Sequence, residues 1–340
     1  MGNSIEILNN IRANASEEYA ARIPTATQNN ILTIGQAFKT YTLLYNEFCT
    51  ALVNKIGKTI IEQKMFKNRL ARFKSGEIVD QQDVEEIFIS MIKAEGQYDK
   101  DGKNPLGRRA PADAKVIYHR QNRQDYYAIS LGDIDFLRVF RSPATLDQFI
   151  KGQINAVYAA DARDEYLCMK NVLATFKNLE GESGYFDYSV PTIGKAGSAK
   201  DFAKTFIKTL RKAVQDVSFL SDQYNAAGVE TSAEPQQLAL LVNKDVLVEC
   251  DVEQLASAFN QSQTDLKVVP VIISMDDFGS LTDTYGLLID QDFFRVYDTL
   301  SHMEPQRNAQ GLFTNWFYHH HQILSASMFK TAVRFKAVNA

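Results

Sequence analysis

Residues 316–324 read WFYHHHQIL, and His319, His320 and His321 stand there in succession, three of the five histidines in the chain. Adjacent imidazoles suit a transition metal, and a catalytic zinc wants three protein ligands with a fourth position open. If the run is a strand, successive side chains point to opposite faces. His319 and His321 then share one face, while His320 joins Trp316 and Tyr318 on the other. Two imidazoles reach a common metal and the third does not. No HExxH, no nearby Asp or Glu and no suitably spaced Cys supplies the missing ligand. Amphipathic rings on a sheet are therefore expected, with no metal bound. A metal-dependent enzyme using His319 and His321 is the alternative.

Other chemistry is equally thin. The chain has no GxSxG elbow, no GxxxxGK[ST] phosphate loop and no GxGxxG after a strand. Asp276 and Asp277 precede a Gly-Ser pair and read as turn formers. Cys49, Cys168 and Cys250 are too sparse for a disulfide framework or a CxxC knuckle. They suit a reducing cytoplasm, with Cys168 a small hydrophobe on a helical stripe. His119 stands alone and reads as structural. No catalytic residue and no cofactor is expected.

A net charge of −4 argues against whole-chain attraction to nucleic acid or anionic membrane. The N-terminus MGNSIEILNN lacks the basic region and apolar core of a signal peptide. Glu6 occupies the place where a myristoylation signal carries Ser or Thr. No window approaches the roughly 18 apolar residues of a membrane span, so a soluble chain is expected.

The elements that must position these residues are uneven. Residues 1 to about 50 read as an irregular arm leading into a helix, with Leu43, Leu44, Phe48, Leu52 and Ile56 at helical spacing, ending near Gly57. Residues 55–74 hold seven Lys or Arg against Glu62 alone, and residues 77–95 hold six acids against Lys93 alone. Apolar content there is intermittent. Either the opposite charges answer each other on a surface hairpin, or a neighbouring molecule answers them. A returning strand is expected around KVIYH.

Ser142 and Pro143 start a helix. Its stripe of Leu146, Phe149, Ile154, Val157, Cys168, Val172 and Phe176 is apolar except for Asp161 and Glu165 in the middle. Gly181 is expected to end it, giving a helix over about 143–178. The Gly- and Ser-rich stretch 181–198 reads as a subdomain boundary. A compact α/β unit is expected over 199–300, with a helix bearing Phe202, Phe206, Leu210, Ala213 and Val217 on one face. QLALLVNKDVLVEC reads as a buried strand with a turn at Asn243 and Lys244, and DVEQLASAFN as a short helix. GLFTNWFYHHHQILSASMFKTAVRF reads as two strands whose partners lie far back in the chain.

Several stretches carry a resemblance when taken together. They are IRANASEEYAARIPTATQNNI, KNRLARFKSGEIVDQQDVEEIF, HRQNRQDYY, INAVYAADARDEYLCMK, ECDVEQLASAFN and VYDTLSHMEPQRNAQGLFTNWFYHHHQILSASMF. In this order, from Ile11 to about Phe335, the chain resembles the major capsid (head) proteins of the phi29-like short-tailed phages. These have an α+β fold, a variant of the HK97-type capsid fold. The specific part is colinearity, not any one motif.

The resemblance implies an N-terminal arm (1–50), an extended E-loop with its flanking strands (51–125) and a P domain with the long spine helix (126–198). It further implies an A domain (199–300) and a return to the P-domain sheet (301–340). The immunoglobulin-like domain that follows the shell domain in the phi29 protein is not expected in a chain ending at Ala340. The implied function is a head shell of pentamers and hexamers, icosahedral or prolate, enclosing double-stranded DNA. Scaffolding and portal proteins are its implied partners, with no membrane, and the virion is its location after synthesis in the host cytoplasm. A cellular nanocompartment shell of the same fold is an alternative. On this reading Lys67, Arg69, Arg72, Lys74, Asp83, Glu85 and Glu86 of the E-loop are expected between subunits. The histidine triplet becomes a candidate pH-sensitive subunit contact.

Overall fold

The computed structural model describes residues 4–41, 44, 47–48, 51, 66, 68–78, 83–92, 111–132, 152, 155–193, 199–249, 271–273, 281 and 283–338. Its helices in chain order are α1 (Ser4–Asn14), α2 (Glu17–Arg22), α3 (Ile31–Thr40), α4 (Asn155–Thr175), α5 (Ala199–Ser218) and α6 (Lys244–Glu249). Its strands are β1 (Gly76–Glu77), β2 (Val84–Ile89), β3 (Ala114–His119), β4 (Arg123–Gly132), β5 (Phe186–Pro191), β6 (Leu238–Asn243), β7 (Val271–Ile273), β8 (Thr284–Asp290), β9 (Phe294–Asn308), β10 (Phe313–Ala326) and β11 (Ala332–Val338). The chain divides into two units, each discontinuous in sequence. The first is Met1–Asn68, Asn122–Tyr166 and Asp298–Gln322; the second is Arg69–Gln121, Leu167–Tyr297 and Ile323–Ala340.

In the first unit the expected irregular arm is helical. Its apolar residues are few but spaced by single turns. Leu8 and Ile11, Tyr19 and Ile23, and Ile31, Ile34 and Phe38 all turn into one cluster with Leu44 and Phe48. Phe38 stacks on Phe48 at 4.6 Å. Helices this short are marginal alone, and side chains close their ends. The Ser16 hydroxyl accepts the Tyr19 N–H at the start of α2. Arg12 donates to the carbonyls of Ala20 and Ile23 at its end, at 2.8 and 2.6 Å. The expected stop near Gly57 lies outside the described residues.

Strand β10 returns to pair antiparallel with β4, Tyr318 opposite Tyr127 and His320 opposite Asp125. The sheet order is β1-β9-β10-β4. Within the first unit, Val157 and Tyr158 of α4 pack with Tyr127, Ile129, Met303, Trp316 and Tyr318 of the sheet. The expected start of the long helix at Ser142 lies outside the described residues. From Asn155 the helix runs 21 residues, about 30 Å.

In the second unit α4 stops at Thr175, short of the expected 178, because Phe176 leaves the helical path to pack on Tyr185 and Phe293. Gly181 is not the helix stop but the positive-φ residue (+85°) of the tight turn that follows. Gly184 meets the Phe176 ring so closely that a β-carbon there would sit 2.5 Å from it.

Part of the stretch 181–198, expected as a boundary, is a strand, and residues 194–198 lie outside the described residues. Phe186–Pro191 is β5, parallel to β11 in a five-stranded sheet of order β5-β11-β8-β6-β7. The last strand therefore joins this sheet and does not accompany β10. The reason lies in its residues: Ala332, Val333 and Phe335 are fully buried, and such a strand needs a sheet covered on both faces. The α/β unit is larger than 199–300 for the same reason. Helix α5 covers the sheet with Phe202, Phe206, Leu210, Ala213 and Val217, the face expected from its spacing. After β6, residues 244–249 form α6 in place of the expected turn at Asn243 and Lys244. The Asn243 side chain accepts the Asp245 N–H at 3.1 Å and starts the helix. DVEQLASAFN and the Asp276–Asp277 pair lie outside the described residues.

Candidate functional site

The histidine run alternates as a strand must. Tyr318, His320 and Gln322 are buried on one face of β10, with His319 and His321 on the other. The buried face meets α4 within the first unit, where Asp161 and Glu165, one turn apart, interrupt the apolar stripe. The His320 ring lies between two carboxylates, Nδ1 2.7 Å from Asp161 Oδ1 and Nε2 3.2 Å from Asp298 Oδ1. Burial pulls the imidazole toward neutrality, but the two carboxylates outweigh it and raise its pKa to about 9. His320 is a fixed cation at neutral pH.

A second cation completes the cluster. Arg123, at the start of β4, donates to Asp161 Oδ1 at 2.6 Å, to Asp125 at 2.7 Å and to the Tyr127 hydroxyl at 2.9 Å. Gln322 accepts from Arg123 and donates to Glu165 at 2.7 Å and Asp298 at 2.6 Å. Asn68 donates to the other Glu165 oxygen at 2.7 Å. Burial lowers the guanidinium pKa and the Asp125 and Asp161 carboxylates raise it, with a net rise. Such a cluster orients α4 on the sheet.

His319 and His321 lie 6.4 Å apart, centroid to centroid, beside exposed Tyr126, which is 5.9 Å from His319. Among the described residues no group of three His, Cys, Asp or Glu is arranged to hold a metal ion. The His321 pKa is lowered, first by burial and then by its two histidine neighbours. Sequence spacing separated His320 from its neighbours correctly but missed Arg123, Asp298 and Gln322. The available signal was the pair of acids on an apolar stripe, which demands buried cations.

In the second unit, β2 and β3 form an antiparallel hairpin with Ile87 opposite Val116 and Glu85 opposite Tyr118. Its inner face carries Phe88 and Ile117, which pack with Ala227, Val229, Met328 and Phe329. Glu86 also points inward. Its carboxylate meets His119 Nε2 at 3.0 Å, Arg295 at 2.6 Å and the Ser327 hydroxyl at 2.8 Å. His119 Nδ1 lies 2.8 Å from the Ser325 hydroxyl. Burial raises the Glu86 pKa, but His119, Arg295 and Ser327 overcome it and bring the value down to about 2.

The outer face of the hairpin is apolar and open. Ile87, Ile89, Val116 and Tyr118 are exposed, Ile89 at 65%, and Met91 and Ile92 just beyond β2 are exposed as well. Single exposed apolar residues are unremarkable; a contiguous set on one face marks an interaction surface.

The charged residues expected between subunits divide. Arg69 is exposed, Arg72 lies 5.2 Å over the Phe73 ring, and Lys74 is half-buried. Asp83 pairs with Arg120 at 3.2 Å and Glu85 accepts from the Tyr118 hydroxyl at 3.1 Å, both near the surface. Glu86 is spent inside its own chain, because period-two alternation puts it on the opposite face from Glu85. Lys67 lies outside the described residues. Cys168 is half-buried.

The family model of the phi29-like phage major capsid protein matches residues 8–336. The chain belongs to that family. Major capsid proteins of Bacillus phages B103 and PZA are each 32% identical to it, across 98% of this chain and 72% of theirs. That of Streptococcus phage Cp-1 is 26% identical, covering 96% of this chain and 92% of its own. The fold is that of phage capsids. The capsid structure of Staphylococcus phage Andhra superposes with a TM-score of 0.60 over 81% of this chain and 86% of that one, at 11% identity. The mature capsid of bacteriophage PhiM1 gives 0.51 over 82% and 90%, at 9% identity. The α+β, HK97-type expectation holds.

Proposed function

We propose that this major capsid protein builds a phage head shell from copies of itself, with the β2–β3 hairpin as the E-loop that reaches a neighbouring copy. The observation that carries this reading is the hairpin's second apolar face. Phe88 and Ile117 already anchor the hairpin to its own unit, so exposed Ile87, Ile89 and Val116 are not needed for that anchoring. A two-stranded hairpin exposing such a face in an isolated subunit is an aggregation hazard, and a neighbouring subunit that covers it removes the hazard. Arg69, Arg72, Lys74, Asp83 and Glu85 rim the contact; Glu86 does not.

The arm is then the helical N-terminal cluster and α4 the spine of the P domain. The A domain is the five-stranded sheet with α5, taking in β5 and β11. The role is structural, without catalysis, cofactor or metal. The shell encloses double-stranded DNA, assembles in the host cytoplasm with scaffolding and portal proteins, and ends in the virion. Among the described residues no helix is long and apolar enough to cross a membrane.

Replacing Ile87 and Ile89 together by Lys is expected to abolish particles in negative-stain microscopy while the far-ultraviolet circular dichroism of the subunit is kept. Normal particles from that variant reject the hairpin contact. An Arg69→Glu, Arg72→Glu, Lys74→Glu variant is expected to reduce particle yield less, since rim charges are worth less than a covered apolar center.

A further inference from the structure

Helix α5 has two faces of opposite character. Phe202, Phe206, Leu210, Ala213 and Val217 are buried in the core of the second unit, so the helix cannot present its other side inward. That other side carries Lys204, Lys208 and Lys212, all exposed and four residues apart. Over its length the helix holds five basic residues against two acids, in a chain whose net charge is −4. The Asp216 carboxylate already accepts from the Tyr188 hydroxyl at 2.6 Å. Among the described residues, none of the three lysines has a carboxylate in ion-pair range.

From this face we infer that α5 is a contact surface for the phosphate backbone of duplex DNA. The inference rests on the reading of the chain as a head-shell subunit. Successive lysines rise about 6 Å along the helix and turn about 40°, so the three span about 12 Å on one side. That lays a short row of point charges along a polyanion carrying one charge per about 1.7 Å of axis. Within the helix the same face carries Thr205 and Thr209 between the lysines and no aromatic residue; the Tyr188 ring of β5 lies 5.9 Å from Lys212 Nζ, and exposed Phe219 follows the helix end. A protein partner would want an apolar or aromatic center, and Lys is depleted from such interfaces. Single-stranded nucleic acid would want rings for its bases. Lysines without base-reading groups position a duplex and read no sequence.

The test is fluorescence anisotropy of the purified, unassembled subunit with a labelled duplex of about 30 base pairs, between about 50 and 200 mM salt. Replacing all three residues (Lys204→Gln, Lys208→Gln, Lys212→Gln) is expected to shrink the slope of log K against log salt by about 2 to 3. The matching Lys→Arg variant is expected to keep the slope. An unchanged slope in the Gln variant overturns the inference, as does a subunit that binds no duplex. So does a Gln variant that keeps the duplex slope while losing an acidic protein of the head. Microscopy of the same proteins separates the two readings. Particles from the Gln variant with a reduced slope support both, whereas an unaltered chain that forms no particles sinks the shell reading alone.

Discussion

Each unit buries a histidine against carboxylates, yet the two clusters are built in opposite senses. In the first, one imidazole lies between Asp161 and Asp298 and becomes a lasting cation. In the second, one carboxylate, Glu86, gathers Arg295, Ser327 and His119 and becomes a lasting anion. The stoichiometry of opposite charge around the central group decides which species survives burial. One cluster fixes α4 to its sheet; the other fixes the root of the hairpin whose outer face is exposed.

The largest expected effect comes from removing a shared counter-charge. Asp161→Ala removes the carboxylate that buried Arg123 and His320 share, leaving them the carboxylates of Asp125 and Asp298, and is expected to cost about 3–5 kcal/mol in denaturant unfolding. Glu86→Ala leaves Arg295 and Ser327 without their acceptor at a partly exposed site. It is expected to cost about 1–3 kcal/mol and to raise proteolysis of the hairpin. An equal cost for the two would erase the distinction between the clusters.

Titration separates them further. His320 has its pKa raised from 6.5 to about 9. Its contribution is whole below the unfolded value and is lost as pH climbs through about 9, no more than about 3 kcal/mol in all. Glu86 is lowered from 4.5 to about 2, so its contribution is present above the unfolded value and lost as pH falls toward 2. His320→Gln is expected to flatten the alkaline limb of thermal stability and Glu86→Gln the acid limb. A His320→Gln profile that still falls between pH 7 and 9.5, as steeply as the parent, rejects the assignment of that limb to His320.

The smallest effect is expected at the outward histidines. His319→Gln with His321→Gln is expected to shift subunit stability by less than about 0.5 kcal/mol. With His320 held as a cation between its two carboxylates, the outward pair is left to face any subunit contact of the triplet. Particle stability that changes between about pH 5 and 8 in the parent and not in the double variant would locate it there.

Much of this arrangement is legible in the chain. Period-two alternation separated His320 from His319 and His321, and three-and-four spacing picked out the buried face of α5. Asp161 and Glu165 stood out on an apolar stripe. The N-terminal helices were missed because each buries only one to three large apolar residues, too few to raise a periodic signal above an irregular one. The hairpin's two apolar faces were missed because EEIFIS puts Glu86 and Phe88 on the inner face and Glu85, Ile87 and Ile89 on the outer. Intermittent apolar content there reflects two useful faces, not a weak one.

By itself the sequence determined the family, through colinear residues along nearly the whole chain, and the face on which each strand or helix residue lies, because backbone geometry sets those periods. Only the tertiary structure decided who answers whom. Arg123 reaches Asp161 across 38 residues and His320 reaches it across 159, while β11 leaves β10 to join β5 and β8. Partner choice depends on which distant segments burial brings together, and burial depends on apolar area without regard to order along the chain.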